Sequence, residues 1–420
     1  MKKLMAEETT KFDVAVIGAG PAGIMAAGRA AELGAKVVLI DKNMRIGRKL
    51  LLTGNGRCNL TNAEFDLRSL AESYGKNGKF LFQAFSFFPP KEVIAFFNKL
   101  GLQTKTEKGN RVFPESDSAE DVLRALEKYL IKNKVTFIFD NEVIEIAGKK
   151  KITKLILKDR QVSAKNYIFC TGGKSFAITG STGDGYKWAK DLGHTIDELT
   201  PALVPIKVKE DWVKDLQALA LENVGVSVYL DGKKKFTKVG DLLFTHFGLS
   251  GPVILNMSGE VGKLLKEGEV EISIDFKPLL NEEELGNLLQ DRFFRSPKKT
   301  IKNFLADGIP AKVSPLLLNM IGMDPEKQVS NITKKERILL AKAIKSFFFI
   351  VDGLLDFDQA MVTSGGISLN EIDTKTMKSK IVSNLYFAGE LVSAAGATGG
   401  FNLQMCWSTG RLAGESAAKK

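Results

Sequence analysis

Cysteine is scarce. The chain has 420 residues and three cysteines, Cys58, Cys170 and Cys406, with no C-x-x-C pair among them. That spacing excludes a disulfide framework and a cysteine-based zinc site. It also excludes the paired redox thiols that a disulfide reductase needs. Scattered single thiols suit a reducing compartment, which predicts a cytoplasmic protein. Histidine is scarcer still, with only His194 and His246. No apolar run is long and clean enough to span a membrane. The best stretch, Leu242 to Met257, is broken by His246, Gly248, Gly251 and Pro252. The opening MKKLMAEETTK has no hydrophobic signal core, so the reading gives no export signal.

What is present centres on Phe12 to Asp41, FDVAVIGAGPAGIMAAGRAAELGAKVVLID. An apolar strand leads into Gly18, Gly20 and Gly23 at the spacing G-x-G-x-x-G. An Ala-rich helical run follows, then a second apolar strand ending on Asp41. Each part has a task in holding a dinucleotide. Gly18 permits the tight turn, Gly20 lets backbone approach a pyrophosphate, and Gly23 lets the helix pack on the strand. The helix N-terminus offers N–H groups and partial positive charge to the phosphates. Asp41 stands where a ribose hydroxyl would donate to a carboxylate. Read instead as a glycine-rich turn in an ordinary βαβ unit, the segment leaves the three glycines and the acid as coincidences.

The length predicts two or three domains. After Asp41, residues 43 to 62 are dense in Gly and Asn, and Gly54 and Gly56 permit close approach to a ligand. Cys58 lies in this segment; it could donate a proton or contact substrate, or could pack as a small residue under the cofactor. Ser118 to Asp121 has the form of a capping box opening a helix to Lys132. Lys151–Leu157 and Gln161–Phe169 read as a hairpin, and the second of these strands runs into a Gly pair, in YIFCTGG. From Pro201 to about Phe276, short alternating strands indicate a β-domain inserted into the first. His246 sits there, flanked by Thr245 and Phe247 before a turn at 248 to 252. It could act as acid, base or substrate anchor, or be a hydrogen-bonded structural histidine. Residues 278 to 345 are helical by pattern and form a small cap.

The chain closes with LYFAGELVSAAGATGGFNLQMCWSTGRLAG. Glu390 follows a strand and is placed for the ribityl or diphosphate part of a flavin. Gly399 and Gly400 open a helix near Asn402, whose N-terminus could stabilise an anionic reduced ring. Nucleotide-grade elements at both ends imply one discontinuous domain. The chain lacks a second strand–GxGxxG–helix unit, so the predicted resident cofactor is FAD, with NAD(P)H visiting as transient reductant. The expected architecture is α/β: a discontinuous Rossmann-like FAD-binding domain over 1–195 and 357–420, an inserted β-domain over 196–277 and 346–356, and a helical domain over 278–345.

The formal net charge is +11. Part of it is clustered, at Lys149 to Lys151, Lys233 to Lys235, Lys298–Lys299 and Lys334, Lys335 and Arg337. Such clusters suit a polyanion through counterion release; lysine-rich turns also simply solvate a protein.

The segments GAGPAG, GRKLLLTGNGRCNLTN, TGG…GSTGDGY, FTHFGLSGP, SGGISLNEI…TM and FAGELVSAAGATGGFNLQ together resemble the BaiN/RdsA-like NAD(P)/FAD-dependent oxidoreductases, also called the aminoacetone oxidase family. The resemblance covers essentially the whole chain. It implies a Rossmann-like FAD domain, a β-barrel-like insert and a small helical domain. It implies FAD contacts at Gly18, Gly20, Ala22, Gly23, Asp41, Lys42, Arg48, Lys49, Gly56, Asn59, Gly389, Glu390, Gly400, Phe401, Asn402 and Leu403. Asp41 stands where many flavoproteins have Glu. Reactions linked to the family are diverse: reduction of activated C=C bonds, including uridine in ribosomal RNA and steroid-like enones, and amine oxidation. The expected reaction is hydride transfer at flavin N5 to a polarised double bond, with Cys58 or His246 as proton donor and a weak preference for rRNA uridine. Two rivals stand beside it: an aminoketone oxidase using O2, and an FAD-containing RNA-binding or assembly protein. No metal and no membrane are expected.

Overall fold

A computed structural model of the chain describes residues 11–419. The segment 1–10, most of the stretch read above for a signal, lies outside them. The described residues divide into two compact units, one of 11–202 with 357–419, the other Leu203–Asp356.

The first unit is built on a seven-stranded sheet. The strand Lys11–Ile17 lies between Val37–Ile40 and Gln161–Phe169, parallel to both. Thr136–Ile138 extends the sheet beyond Val37–Ile40. The strand Gln161–Phe169 divides its other edge. Its first half pairs with the hairpin strand Lys154–Leu157, and its last residues pair parallel with Leu385–Phe387. The chain's end is thereby fastened to its beginning through one shared strand. Residues of these parallel strands are apolar without alternation, as burial on both faces requires: Val14, Val16, Leu39 and Ile168 are wholly buried.

The helix Pro21–Glu32 begins with Pro at its first position, where the missing N–H costs nothing. Against it packs the C-terminal helix Phe401–Ala418. The two approach so closely that a Cβ on Gly410 or Gly414 would meet the backbone oxygen of Ala22 or Ala26 at 2.3 Å. Trp407 is fully buried, and its indole N–H donates to the Leu60 carbonyl. Ion pairing of Arg29 with Glu415 at 2.6 Å closes the far end of the same contact.

Two smaller sheets complete this unit. Thr61–Asn62, Arg111–Pro114 and Thr104–Glu107 form one. Ile196–Ala202 and Val362–Ile367 form the other, antiparallel with a bulge between Asp197 and Thr200. The expected start of the inserted β-domain at 196 therefore moves. That strand belongs to the first unit because its hydrogen-bonding partner comes from the returning chain. His194 lies just before it, wholly buried at the side chain.

The second unit holds a closed six-stranded barrel, Ile206–Val208, Gly248–Ser250, Lys233–Thr245, Ala220–Leu230, Val270–Asp275 and Phe347–Leu354 in that order. Every pairing is antiparallel. Val226, Val228, Ile272, Ile274, Phe347 and Phe349 alternate inward and are buried. Closure abolishes the sheet edges. The helix Pro252–Leu264 buries Ile254, Met257 and Val261 in the same core. Helices Glu282–Arg295, Ile301–Leu305, Ser314–Met320 and Lys334–Lys345 extend that core rather than forming one of their own. Capping boxes start two of them, at Asn281 with Glu284 and at Thr333 with Glu336. No helix among the described residues is long and apolar enough to cross a membrane.

Candidate functional site

The first unit gathers the predicted dinucleotide residues at the carboxyl ends of its parallel strands. This is where open α/β sheets bind ligands. Gly18 has φ +100°, and a Cβ there would strike the Cys170 carbonyl at 2.4 Å. Gly23 lies so near the turn that a Cβ would sit 1.8 Å from the Gly18 oxygen. Gly20 differs from both, since a Cβ there would meet nothing within 4 Å. Two of these glycines are thus demanded by the protein's own packing. The third faces open space, as a residue kept small for a ligand would.

Asp41 is held by its surroundings. Its Oδ2 accepts from the Ala19 N–H at 2.6 Å, and its Oδ1 accepts from the backbone and side-chain N–H groups of Asn43 at 2.8 and 2.9 Å. A carboxylate has about four acceptor positions, so one is left for a ribose hydroxyl. Lys42 turns aside to donate to Thr182 and Asp184 at 2.5 and 2.6 Å. Arg48 donates to Asn43 Oδ1 at 2.7 Å.

Beside Asp41 opens a cleft lined by Ile17, Gly18, Asn141, Thr171, Gly180 and Trp188. Two of its lining atoms, Asn141 Oδ1 and Thr171 Oγ1, are buried without a hydrogen-bond partner among the described residues. Asn59 Oδ1 is in the same condition. Leaving a buried acceptor unpaired costs about 1–3 kcal/mol. The two in the cleft beside Gly18 mark a place where a polar ligand completes the protein.

The chain's end contributes the other wall. Gly389, at φ +74°, packs on Ala22, where a Cβ would come within 2.7 Å. Lys49 donates to Glu390 at 2.9 Å and to Ser175 at 2.8 Å. Glu390 Oε1 also accepts from Ser175 Oγ at 2.9 Å and from the Thr363 N–H at 2.8 Å. Its carboxylate braces three chain segments. Gly400, at φ +101°, starts the C-terminal helix without a side-chain cap. A Cβ there would strike the Thr61 backbone at 2.4 Å. The first-turn N–H groups of Phe401, Asn402 and Leu403 have no intrahelical partner by construction. The Asn402 side chain is spent on Gly396 and Ala397, leaving only its backbone for a ligand. Gly56, at φ +81°, is exposed, and a Cβ there would meet nothing within 4 Å.

The two candidate proton donors fall in very different places. Cys58 is fully buried, and burial pushes its thiol up to about 12, opposed by a hydrogen bond with Thr53. Such a thiol is a poor acid near neutrality. His246 lies in the second unit, exposed, edge-on to Phe247 at 4.9 Å. It makes no hydrogen bond among the described residues. The expectation of a hydrogen-bonded structural histidine is not met. Sequence reasoning missed Asn141 and Thr171 as site residues. Thr171 had a signal, since it stands just after a strand and before a Gly pair; Asn141 had none.

A model of the HI0933-like protein Rossmann domain matches residues 12–416. The chain belongs to this family. It is 32% identical over 410 residues to the 3-dehydro-bile acid delta(4,6)-reductase of Clostridium scindens, covering 97% of this chain and 99% of that protein. It is 30% identical over 399 residues to the ribosomal RNA dihydrouridine synthase of Escherichia coli, covering 95% and 96%. The fold is similar to that of a 3-ketosteroid-delta4-(5alpha)-dehydrogenase from Rhodococcus jostii RHA1, with a TM-score of 0.54 at 15% identity, covering 100% of this chain and 99% of that one. The chain is an oxidoreductase of the Rossmann flavoprotein class, and its open glycine turn and unpaired acceptors fit FAD. No group of acidic, histidine or cysteine side chains among the described residues could hold a metal ion.

Proposed function

We propose that this protein reduces an activated carbon–carbon double bond, with NAD(P)H as electron source, in the cytoplasm. We further propose uridine in ribosomal RNA as the favoured substrate, giving dihydrouridine. One observation carries the first step. Two near-full-length relatives, at 32% and 30% identity, have named reactions that add hydrogen across conjugated double bonds. The net charge of +11 favours the RNA substrate over a steroid-like enone.

FAD bound at this site would supply a ring that takes up and delivers hydride. The glycine turn and the helix Pro21–Glu32 would hold the diphosphate through backbone N–H groups. Asp41 would orient the ribose through its remaining acceptor position. The N-terminus of the C-terminal helix would present partial positive charge to the ring. Lys49, Glu390 and Ser175 hold the loop 43–62 against the returning chain. His246 is kept as the candidate general acid, which His246→Ala tests. Cys58 is left out of the reaction, because its thiol is buried and holds its proton.

The test is anaerobic. NAD(P)H should bleach the bound flavin rapidly, and an enone should restore the colour. Mass spectrometry of ribosomal RNA from a deletion strain should show the loss of one dihydrouridine. Bleaching by an aminoketone but not by NAD(P)H would overturn the reading in favour of an oxidase.

A further inference from the structure

The outer face of the barrel carries a feature that reduction of a small molecule does not use. Outward residues on adjacent strands form two cross-strand rows. In one, Thr237, Ser227, Ser273 and Phe348 lie side by side. In the other, Lys234, Tyr229, Glu271 and Ile350 do. The Tyr229 and Phe348 rings meet diagonally across these rows, with centroids 5.4 Å apart. Phe348 is 37% exposed and Tyr229 is half-buried. The floor beside them is small and polar, with the Ser227 and Thr237 hydroxyls hydrogen-bonded at 2.8 Å.

At the end of these strands the hairpin turns at Asp231 and Gly232 and presents Lys233, Lys234 and Lys235, all exposed, with Lys234 in the Tyr229 row. None has an ion-pair partner among the described residues. An isolated exposed aromatic is ordinary. A packed aromatic pair on a strand surface, next to three unpaired cations, is the pattern that single-stranded nucleic acid selects. Bases stack on the rings and phosphates meet the lysines.

We propose that this barrel face binds single-stranded RNA, with bases stacking on Tyr229 and Phe348 and the backbone running to Lys233, Lys234 and Lys235. The inference deepens the reading of an RNA substrate and rests on it. Glu271, on the strand between those that bear the rings, supplies an acceptor for the N3–H of a uracil.

The experiment is a fluorescence-anisotropy titration of the full-length flavoprotein with a uridine-rich single strand of about 12 nucleotides, near the upper site sizes of such platforms. A duplex of the same length is the comparison. Tyr229→Ala with Phe348→Ala should weaken single-strand binding about 10-fold or more. Tyr229→Phe keeps the stacking ring and should bind as the parent does. Replacing the three lysines by alanine should reduce the slope of log affinity against log salt by about 2. All these variants should keep NAD(P)H-dependent reduction of a small enone. Unchanged affinity and salt slope in the variants would overturn the inference while leaving the RNA reading intact. A parent protein that prefers the duplex, or binds neither strand, would overturn it too. Failure of the reductase reading shows separately, as a parent flavin that NAD(P)H does not bleach.

Discussion

Lys49 and Glu390 stand 341 residues apart in sequence and 2.9 Å apart in the fold. Their side chains are 20% and 13% exposed. The pair joins the loop after the first βαβ unit to the turn before the last helix, and Ser175 and Thr363 complete it. Glu390→Gln keeps the shape and removes the charge. It should lower unfolding stability by about 2 kcal/mol, the range for hydrogen bonds to charged groups, and weaken FAD retention. Thermal unfolding and the flavin content of purified protein read the two effects. A variant as stable and as yellow as the parent would remove the pair from this role.

The glycine turn separates folding from cofactor binding. Gly20 has φ −79°, which alanine adopts freely, and open space where a Cβ would go. Gly20→Ala should fold normally and lose FAD. Gly23→Ala puts a Cβ 1.8 Å from the Gly18 oxygen and should fail to give soluble protein. Circular dichroism with flavin fluorescence checks both. Full FAD occupancy in Gly20→Ala would mean that the open space is not the diphosphate's.

His194 makes stability depend on pH. Burial pushes its pKa below the usual 6.5, and the Glu371 carboxylate opposes that. Ser379 Oγ accepts from the N–H groups of Ile381 and Val382 at 3.0 and 2.8 Å, which fills its lone pairs. Its proton therefore goes to His194 Nε2 at 2.9 Å, and His194 Nδ1–H donates to Glu371 at 3.0 Å. The ring is held neutral, with no acceptor for a second proton. A depressed folded pKa means that the unfolded chain binds more protons below about pH 6.5. Stability is complete above that value and falls as pH drops toward the folded pKa. Urea midpoints should decline from pH 7 to 5.5 in the parent, and decline less in His194→Asn, which starts less stable.

All three thiols are free, and burial raises each of them, Cys58 and Cys406 to about 12 and Cys170 further. Thiolate is the reactive form. Native protein at pH 8 should therefore react slowly with an aromatic disulfide reagent, and three thiols should appear in denaturant. Cys58→Ala should retain most turnover, at some cost in stability from the small cavity. A loss of turnover of 100-fold or more without unfolding would return Cys58 to the chemistry.

The Rossmann core was legible because its signals are local. The strand, the three glycines, the helix and Asp41 lie within one short stretch, and the structure gives Lys11–Ile17, Pro21–Glu32 and Val37–Ile40 there. The last helix was legible from Gly399 and Gly400. The stretch Leu242 to Met257 was harder. It divides into the end of one strand, another strand at Gly248–Ser250 and the helix Pro252–Leu264. Proline at the first helical position was the missed sign. The contacts of Glu390 with Lys49 and Ser175 were not legible, because only the fold brings these residues together. His194 gave no sign, since Glu371 and Ser379 are 177 and 185 residues away.

The strand Gln161–Phe169 is bordered by Lys11–Ile17 on one side and by Leu385–Phe387 on the other. A ribosome must therefore translate as far as Leu385–Phe387 before that strand gains its last neighbour. The nascent polypeptide meanwhile exposes a row of unpaired amides and the apolar flank that the final helix will cover. Loading of the prosthetic group accordingly waits for Leu385–Phe387 and the helix Phe401–Ala418, and termination upstream of them leaves an aggregation-prone fragment rather than a weaker enzyme.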